Sequence, residues 1–420
     1  MRDVYFVSGG VSKFTKARPD KTFQALVKEA FQYTATDLNL EIPRAVELVD
    51  STVASYFSDH FQRQLMSGIM VQDYLGFCPK PSHRVEGGGA TGGLGFQEAW
   101  KNIACGLSNI CLAYGFETMS HVNTWKGNEF IALASDVNFD YPVGGFYTGY
   151  YAMMAVRHMK EFGTTVEQMA HVSVKNHRNA FYNPYAQKRE VLTVQDVRAA
   201  PMVSWPLTRY DICVMSDGAA CALLASEEGV LELEKATGLT IPKVKITGIG
   251  RGTDAMRMAD RPHGRVPLLP HETEADYRDL KYPGIHSFRA GRMASIMAYR
   301  MAGITHPIRD LDFIELHDAY SSSEIQTYED MGLCRYGEGG ALAQNGATFM
   351  PGLDYGLELG PSICPVNPSG GLLACGHPVG ATGLMQAVFA LWQLQGTIGK
   401  HFKNETLQIE GARRGAIHSH

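Results

Sequence analysis

The fold is decided by the stretch Val366-Asn367-Pro368-Ser369-Gly370-Gly371-Leu372-Leu373-Ala374-Cys375-Gly376-His377-Pro378-Val379-Gly380-Ala381-Thr382-Gly383. Its five glycines, two prolines and one histidine make it too irregular for a continuous helix or strand, and an apolar run follows at once. The pattern predicts a tight loop that presents His377 and then enters a buried helix. The loop amides and the helix N-terminus would favour a developing oxyanion. A plain glycine-rich turn with a satisfied histidine is the alternative.

The composition indicates an ordinary globular protein. The 420 residues are 45% hydrophobic, which is enough for two domains or for one duplicated domain. A net charge of -5, with no basic cluster interleaved with aromatics, argues against a nucleic-acid partner. Neither a signal peptide nor a run of about 20 apolar residues is present, so we expect a cytoplasmic protein without a membrane segment.

The eight cysteines are scattered, without a CxxC pair or a His/Cys spacing that suits zinc. We therefore predict no metal site and no disulfide framework. Most of the cysteines should be small core residues in a reducing compartment. Cys364 and Cys375 lie beside loops that could carry chemistry, although a structural role is the simpler reading of each.

Strands and helices alternate along the first part of the chain. Val4 to Val7 and Leu48 to Val53 predict strands, Thr22 predicts a helix cap, and Tyr56 to Tyr74 has a helical pattern. A second glycine-rich loop, at 84–93, then precedes another apolar-periodic helix. Because the two glycine loops share one design, they indicate an internal duplication of an α/β unit.

Residues from about 120 to 205 form an aromatic-rich segment, which we interpret as a lid or substrate-facing subdomain. Val244 to Gly250 predicts the first strand of a second half, and Ser287 to Met301 predicts a helix. Leu311 to Leu316 predicts a buried strand that ends at His317. A capping box formed by Ser321 and Glu324 is predicted to begin the next helix. A histidine at a strand end that faces a helix start is a candidate catalytic residue, and a packed histidine is the alternative.

Taken together, the loop at 367–383, the motif His317-Asp318-Ala319-Tyr320 and the glycine loop before residue 93 resemble the thiolase superfamily. The middle motif is similar to the sterol-carrier-associated and archaeal branch, which reads His-Asp-Cys/Ala-Phe. Further matching segments stand in the expected order across the chain: Arg84-Val85-Glu86, Ser216-Asp217-Gly218-Ala219-Ala220 and Gly411-Ala412-Arg413.

This resemblance implies a duplicated, five-layered α/β/α/β/α fold with halves at 1–235 and 236–420, and with the loop subdomain at about 120–205 inserted in the first half. It implies an acyltransferase that takes acyl-coenzyme A, with coenzyme A as a substrate and no bound cofactor. His317 and His377 would be catalytic, and Gly89, Asn367 and Gly376 would contact the substrate.

The sequence departs from the family where the family places its two cysteines. Gly89 stands where the nucleophilic cysteine is expected. The acid/base cysteine is replaced either by Ala319 or, near the C-terminus, by the segment His418-Ser419-His420. Since glycine has no side chain to acylate, a covalent acyl-enzyme cannot form at position 89.

Three mechanisms remain open, and all of them use His317 and His377 to polarise a carbonyl oxygen and stabilise an enolate. Coenzyme A could attack the 3-oxo carbon directly. Cys375 could substitute as nucleophile or as acid/base group. The chain could instead be a retro-aldolase for a 3-hydroxyacyl-CoA, as are thiolase-like steroid aldolases. Because those aldolases depart at the Gly-His-Pro loop that this chain keeps, we favour thiolysis; a non-catalytic, thiolase-like subunit is the remaining alternative.

The segment at 71–76, which leads into Glu86-Gly87-Gly88-Gly89, resembles thiolases of anaerobic aromatic degradation such as benzoylsuccinyl-CoA thiolase. Together with the aromatic-rich insertion, it suggests a bulky, aromatic acyl group. The resemblance also implies a homodimer core and a separate small subunit with a zinc-ribbon/OB-fold.

Overall fold

A computed structural model of the chain describes residues 1–261, 265–278, 280 and 284–420. Its strands are β1 (Tyr5–Val11), β2 (Ser51–Ser55), β3 (Ser82–Val85), β4 (Ile110–Thr118), β5 (Met202–Ser204), β6 (Leu207–Thr208), β7 (Asp217–Ala225), β8 (Val244–Lys245), β9 (Phe313–Glu315) and β10 (Gly415–Ile417). Within these ranges, we find no helix with the length and apolar character needed to cross a bilayer.

The helices of the first half alternate with its strands. They are α1 (Phe23–Asp37), α2 (Ile42–Leu48), α3 (Asp59–Gln62), α4 (Ser67–Leu75), α5 (Thr91–Ala104), α6 (Thr124–Ala132), α7 (Tyr147–Phe162), α8 (Val166–Phe181), α9 (Val194–Ala199) and α10 (Glu227–Thr237). The predicted boundary at 235/236 lies in the last turn of α10.

The second half is mainly helical in its described part. Its helices are α11 (Arg289–Ala302), α12 (Pro307–Asp310), α13 (Ser321–Asp330), α14 (Gly339–Gln344), α15 (Gly371–Cys375), α16 (Val379–Leu394) and α17 (Ile398–Phe402).

A six-stranded mixed sheet forms the first half, with the strand order β3-β2-β4-β7-β1-β8. β2 runs parallel to β3 and β4, whereas β7 runs antiparallel to β4 and β1. Both β4 and β7 are buried along their full length, as expected for central strands covered on both faces. Helix α1 covers one face, capped by Thr22 as predicted, since its hydroxyl accepts a hydrogen bond from the Ala25 amide at 3.3 Å.

The two glycine loops seen in the sequence lead into the two helices that cover the other face, α5 and α16. These helices cross at glycines: a Cβ at Gly92 would lie 2.6 Å from the backbone nitrogen of Gly383. Helix α16 also packs on the short parallel pair of β9 and β10. It therefore forms a central helical layer between the large sheet and the strands of the second half, and both candidate loops meet at its N-terminal end.

The segment after α10 differs from its predicted strand at Val244 to Gly250. Only Val244–Lys245 is a strand, and it pairs antiparallel with β1 in the sheet of the first half. The segment then runs along α11, where Gly248 lies against the carbonyl of Ala298 and Gly250 against that of Ala294. Each contact is too close for a Cβ, so these glycines serve helix packing and not a new sheet.

The predicted continuous helix from Tyr56 to Tyr74 is wrong, because the chain breaks between α3 and α4. Arg63 and Met66 adopt left-handed conformations, with φ of 52° and 57°. The carbonyls of Tyr56 and Phe57, which a helix would use, accept hydrogen bonds from the Arg84 guanidinium at 3.3 and 3.1 Å. Likewise, the predicted strand at Leu48 to Val53 begins only at Ser51, because α2 extends through Leu48.

The capping box predicted for Ser321 and Glu324 is also wrong. Helix α13 is capped one residue earlier, where the amide of Tyr320 donates to Ser323 Oγ at 3.1 Å. Glu324 is fully buried and faces Lys175, with 2.5 Å between Nζ and Oε1. The glutamate is drawn inward because it is the carboxylate partner of a buried cation.

Candidate active site

Gly89 lies in a short 3₁₀ turn, Gly88–Ala90, directly before α5. A Cβ at this position would lie 3.1 Å from His317 Cε1 and would run into the backbone carbonyl oxygen of His420. The space beside Gly89 is thus partly filled by a histidine ring and by the C-terminal strand region. A side chain here would require that strand region to move.

His317 follows β9 and is only 3% exposed. Its ring lies edge to face against the ring of His377, with the centroids 5.1 Å apart and an interplanar angle of 90°. His317 Nδ1 has no hydrogen-bond partner in the described part of the chain, although it is buried. The structure therefore brings together two histidines that are 60 residues apart in the sequence, as one unit.

The tautomer of His377 follows from its neighbour Thr382. His377 Nδ1 lies 2.8 Å from Thr382 Oγ1, which in turn lies 3.1 Å from the carbonyl oxygen of Pro378. Because a threonine hydroxyl has one proton and the carbonyl can only accept it, Thr382 accepts from the imidazole. The proton of neutral His377 is then on Nδ1, and Nε2 carries a lone pair that can take a proton.

Burial keeps both rings neutral. Desolvation lowers the pKa of His377 to about 4. The pKa of His317 is lowered well below its ordinary value, first by desolvation and then by the neighbouring His377. Each neutral imidazole has one N–H donor and one nitrogen that can accept a proton, and the N–H of His377 is already bound to Thr382. The pair can therefore accept a proton at His377 Nε2 and donate to an oxyanion through His317, without a net charge.

The two histidines and Gly89 line a cavity of about 1410 Å³. Such a volume exceeds that of an ordinary small-molecule pocket, and it accommodates large substrates. Several aromatic side chains line it, some of them from the 120–205 segment; they include Phe57, Phe130, Phe146, Tyr147, Tyr150, Tyr151, Phe288 and Tyr320. Tyr151 and Tyr320 stack with centroids 4.1 Å apart.

Two histidines that directly follow β10 complete the site. His418 and His420 both line the cavity, and the His420 ring lies 6.4 Å from that of His317 and 4.3 Å from that of Phe288. Burial lowers the pKa of His418 to about 4, and that of His420 to about 3. These residues stand where the sequence comparison expected a cysteine, and they add neutral imidazoles in its place.

The other predicted site residues lie behind the cavity wall. Cys375 is fully buried against Met385, with 3.5 Å between the two sulfurs, and burial raises the pKa of its thiol well above the ordinary value. The side-chain amide of Asn367 is bound to other protein groups: its Oδ1 accepts from the backbone N–H of Leu316, and its Nδ2 donates to Glu324 Oε2, each at 2.8 Å. Gly376 adopts a φ of 118°. None of the three is among the described residues that line the cavity.

Sequence reasoning missed Cys213, which does line the cavity. Its amide donates to the carbonyl of Ala319 at 2.9 Å, which places it beside the position where the family motif has a cysteine. Burial raises the pKa of its thiol to about 12, so it is a neutral thiol. No local pattern marks this residue, since its neighbour Ala319 is 106 positions away.

Family models match both halves of the chain. The model for the N-terminal domain of thiolase covers residues 4–204, and a thiolase C-terminal domain-like model covers residues 277–420. The chain belongs to the thiolase family.

Relatives that are named for acetyltransferase or thiolase activity indicate that this chain is an acyltransferase. An acetyl-CoA acetyltransferase of Methanothermobacter thermautotrophicus is 35% identical, over 100% of this chain and 96% of that protein. Sterol carrier protein 2 of Homo sapiens is 32% identical, over 100% of this chain and 70% of that protein. Subunit BbsB of the benzoylsuccinyl-CoA thiolase of Thauera aromatica is 29% identical, over 94% and 89%. This chain is a thiolase-family acyl-CoA acyltransferase.

Solved structures confirm the thiolase fold. An Ltp2-ChsH2(DUF35) aldolase superposes with a TM-score of 0.75 at 21% identity, over 100% of this chain and 94% of that one. Human mitochondrial 3-ketoacyl-CoA thiolase in complex with CoA superposes with a TM-score of 0.65 at 16% identity, over 94% and 92%. The predicted α/β class and family are therefore confirmed.

Proposed function

We propose that the chain catalyses coenzyme-A-dependent thiolysis of a bulky 3-oxoacyl-CoA without a covalent acyl-cysteine. One observation carries the proposal: the pair His317 and His377 faces a large cavity in which the nucleophile position, Gly89, has no side chain. The two histidines would stabilise the charge that develops during the reaction, whereas position 89 has no side chain that could be acylated. Free coenzyme A then supplies the sulfur nucleophile.

The proposed reaction begins when His377 Nε2 takes the proton of the coenzyme A thiol. The thiolate attacks the 3-oxo carbon, and the resulting alkoxide receives a hydrogen bond from the N–H of His317. The tetrahedral intermediate collapses by breaking the C2–C3 bond. This step forms a new thioester, the shortened acyl-CoA, and leaves the enolate of the C1–C2 fragment, which keeps the original thioester. Protonated His377 returns its proton to C2, so protons and electrons balance over the cycle.

The aromatic wall supports a bulky, aromatic acyl group as the substrate. Tyr151, Tyr320 and Phe288 form adjoining aromatic contacts on one side of the cavity, with Tyr151 and Phe288 5.9 Å apart. Such surfaces favour stacking with another ring. The name of the benzoylsuccinyl-CoA thiolase relative is consistent with this choice.

The assembly we propose is a homodimer core with a separate small zinc-ribbon/OB-fold subunit. The same relative is named as one subunit of a larger enzyme. Large exposed apolar side chains on this chain leave surface for such partners; they include Leu65, Met66, Trp125 and Val143.

Retro-aldol cleavage of a 3-hydroxyacyl-CoA is the second candidate, because it needs a base and an enolate site but no nucleophile at position 89. The test uses the purified protein, with and without a candidate zinc-ribbon partner. A 3-oxoacyl-CoA with coenzyme A and, separately, a 3-hydroxyacyl-CoA alone are supplied, and products are quantified by liquid chromatography. Thiolysis predicts cleavage of only the 3-oxo substrate. Cleavage of only the hydroxy substrate would establish the aldolase, and inactivity in every mixture would favour a non-catalytic subunit.

A further inference from the structure

Helix α8 belongs to the inserted 120–205 segment, yet one of its faces lies against the loop that carries His377. Several polar side chains on or just after this helix are fully buried, and four of them reach the two histidine-bearing segments: Lys175, Asn176, Asn179 and Asn183. Lys175, Asn179 and Asn183 follow one another at intervals of four residues. They therefore lie on one stripe of the helix and its extension.

The stripe donates hydrogen bonds to successive carbonyls of the loop. Lys175 Nζ donates to the carbonyl of Val366 at 2.8 Å. Asn179 Nδ2 donates to the carbonyl of Asn367 at 3.0 Å, and Asn183 Nδ2 donates to that of Ser369 at 2.9 Å. Within the loop, the carbonyl of Asn367 also accepts from the Gly370 amide at 2.9 Å. Because the loop is irregular and forms no regular ladder, the helix supplies further donors to its carbonyls.

The same face also reaches the segment that carries His317. Asn176 Nδ2 donates to Asp318 Oδ2 at 2.7 Å, and Asp318 Oδ1 accepts from the amide of Leu372 at 2.6 Å. Asp318 is the direct neighbour of His317, and Leu372 lies in the short helix that ends just before His377. A single carboxylate thus joins α8 to both histidine-bearing segments.

The charge of Lys175 is balanced inside this group. Its ammonium contacts Glu324 Oε1 at 2.5 Å, and Glu324 Oε2 accepts from Asn176 and from Asn367, each at 2.8 Å. Because all of these side chains are shielded from water, the network tolerates little rearrangement without leaving a buried polar group unpaired.

Backbone contact makes the coupling between helix and loop rigid. Gly370 has a φ of 104°, and a Cβ there would lie 2.5 Å from the Cβ of Ala180 and 2.8 Å from its Cα. The loop therefore rests directly on α8, with no side chain between them. A small displacement of the helix would be transmitted to the loop.

We propose that the α8 face of Lys175, Asn176, Asn179 and Asn183 is a positioning element that fixes the distance and mutual orientation of His317 and His377. These residues touch no substrate; they act through the two histidines. The proposal rests on the proposed function, which makes the histidine pair the catalytic unit. Through this face, the aromatic-rich 120–205 insertion of the first half would fix the positions of the two histidines, which lie in the second half.

The test uses Asn179→Leu and Asn183→Leu in the full chain, with Arg178→Gln as the matched control. Arg178 lies on the same helix but off this face, and its guanidinium donates to the carbonyl of Asp354. We expect kcat for thiolysis to fall at least about tenfold in both leucine variants, with KM changed much less, because misplacement of about 1 Å is costly to catalysis. The control should keep wild-type values.

A variant whose hydrogen bond can be restored by lowering the pH provides a second test. In Asn179→Asp, the neutral carboxylic acid can donate to the carbonyl of Asn367, whereas the ionised form cannot. We expect its kcat to approach that of the wild type at low pH and to fall as the carboxyl ionises, while the wild type shows no such step. A kcat of Asn179→Asp that still follows the wild type at a pH where infrared spectroscopy shows the introduced carboxyl to be ionised would overturn the proposal.

Crystal structures separate this proposal from the proposed function. In Asn183→Leu, we expect the ring centroids of His317 and His377 to move from their 5.1 Å separation by about 1 Å or more. An unchanged pair would overturn the positioning role, whatever the activity. Displacement of the pair in an enzyme whose wild type cleaves no 3-oxoacyl-CoA would support positioning and reject only the proposed function.

Discussion

The rings of His317 and His377 lie edge to face, with 5.1 Å between their centroids and an interplanar angle of 90°. This contact places two neutral imidazoles beside Gly89, where a thiolase would be expected to hold its nucleophile. The pair comes from two separate segments, one after β9 and one before α16. Its chemistry therefore depends on both segments keeping their places.

Replacing either histidine should abolish most of the thiolysis. For His377→Ala we expect a fall in kcat of about 10²–10⁴-fold, because the variant loses its proton acceptor. For His317→Ala we expect about 10²–10³-fold, since one oxyanion donor is lost. Steady-state kinetics with a 3-oxoacyl-CoA and coenzyme A measures both effects. Wild-type kcat in His377→Ala would contradict its role as the base.

Restoring a cysteine at position 89 should not restore an ordinary thiolase. A Cβ in Gly89→Cys would press on the backbone carbonyl of His420 and lie 3.1 Å from His317 Cε1. We expect kcat to fall at least about tenfold, because the histidine pair or the C-terminal strand must shift. Kinetics and intact-protein mass spectrometry after addition of substrate provide the measurement. A faster enzyme that carries an acyl adduct would contradict this account.

Cys375→Ala should be catalytically silent. The thiol is buried against Met385 and does not line the cavity, so we expect kcat within about twofold of the wild type. The lost sulfur should lower the free energy of unfolding by about 1–2 kcal/mol. Urea unfolding and steady-state kinetics test the two parts separately. Cys213→Ala is the comparison, since Cys213 lies on the cavity wall. A large loss of kcat in Cys375→Ala, with the fold intact, would show that the Cys375 thiol takes part in catalysis.

The acid limb of kcat/KM should lie near pH 4. His377 acts only as the neutral base, and burial lowers its pKa to about 4, so activity is lost as the pH falls through that value. A solvated histidine would give a midpoint near its ordinary value of about 6.5. Circular dichroism at each pH separates titration from acid unfolding. A midpoint near 6.5 with an intact fold would show that the ring is not desolvated.

Glu117 should make the stability of the protein pH-dependent. It accepts hydrogen bonds from the amides of Phe57 and Gly380, at 2.9 and 3.0 Å, and burial raises its pKa to about 7. The folded state then holds a proton that the unfolded state releases near pH 4.5. The contribution of Glu117 to stability therefore falls as the pH rises from about 4.5 to 7.

Glu117→Gln removes this dependence. Among the described residues, Gln62 Oε1 has no hydrogen-bond partner. When the side-chain amide of Gln62 is turned, this oxygen can accept from the amide nitrogen of the glutamine introduced at position 117, so the variant should fold. We expect its free energy of unfolding, relative to the wild type, to increase by about 2 kcal/mol between pH 5 and pH 8. Urea unfolding of both proteins at the two pH values measures it. A difference that does not change with pH would indicate that Glu117 is ionised throughout.

Much of the architecture follows from local sequence patterns. The two glycine loops each lead into a helix, α5 and α16, and Thr22 caps α1, because these features depend on neighbouring residues alone. The motif at 366–383, the motif at 317–320 and the glycine loop before residue 93 together indicated the family and both candidate histidines. The non-helical start of the 56–74 segment was not predictable, since the carbonyls of Tyr56 and Phe57 bind an arginine at the distant position 84.

The parts of the site that the sequence did not reveal are held by contacts between distant residues. Cys213 reaches the cavity through pairing with Ala319, and Asn183 reaches the histidine loop 186 residues away. A pattern of asparagines on a helix indicates no partner by itself. Likewise, the glycines at 248 and 250 looked like those of a strand, but their purpose is close approach to the carbonyls of α11.

The central claim is that coenzyme A attacks the substrate directly, with no acyl-enzyme. Single-turnover mixing tests it: the protein is mixed with a 3-oxoacyl-CoA, first without and then with free coenzyme A, and quenched with acid. Acyl-CoA products and the intact protein mass are then measured. We predict no cleavage and no mass increase until coenzyme A is added, followed by both acyl-CoA products. Release without free coenzyme A of one equivalent of the C1–C2 acyl-CoA, which keeps the original thioester, together with an acyl group on the protein, would contradict the claim.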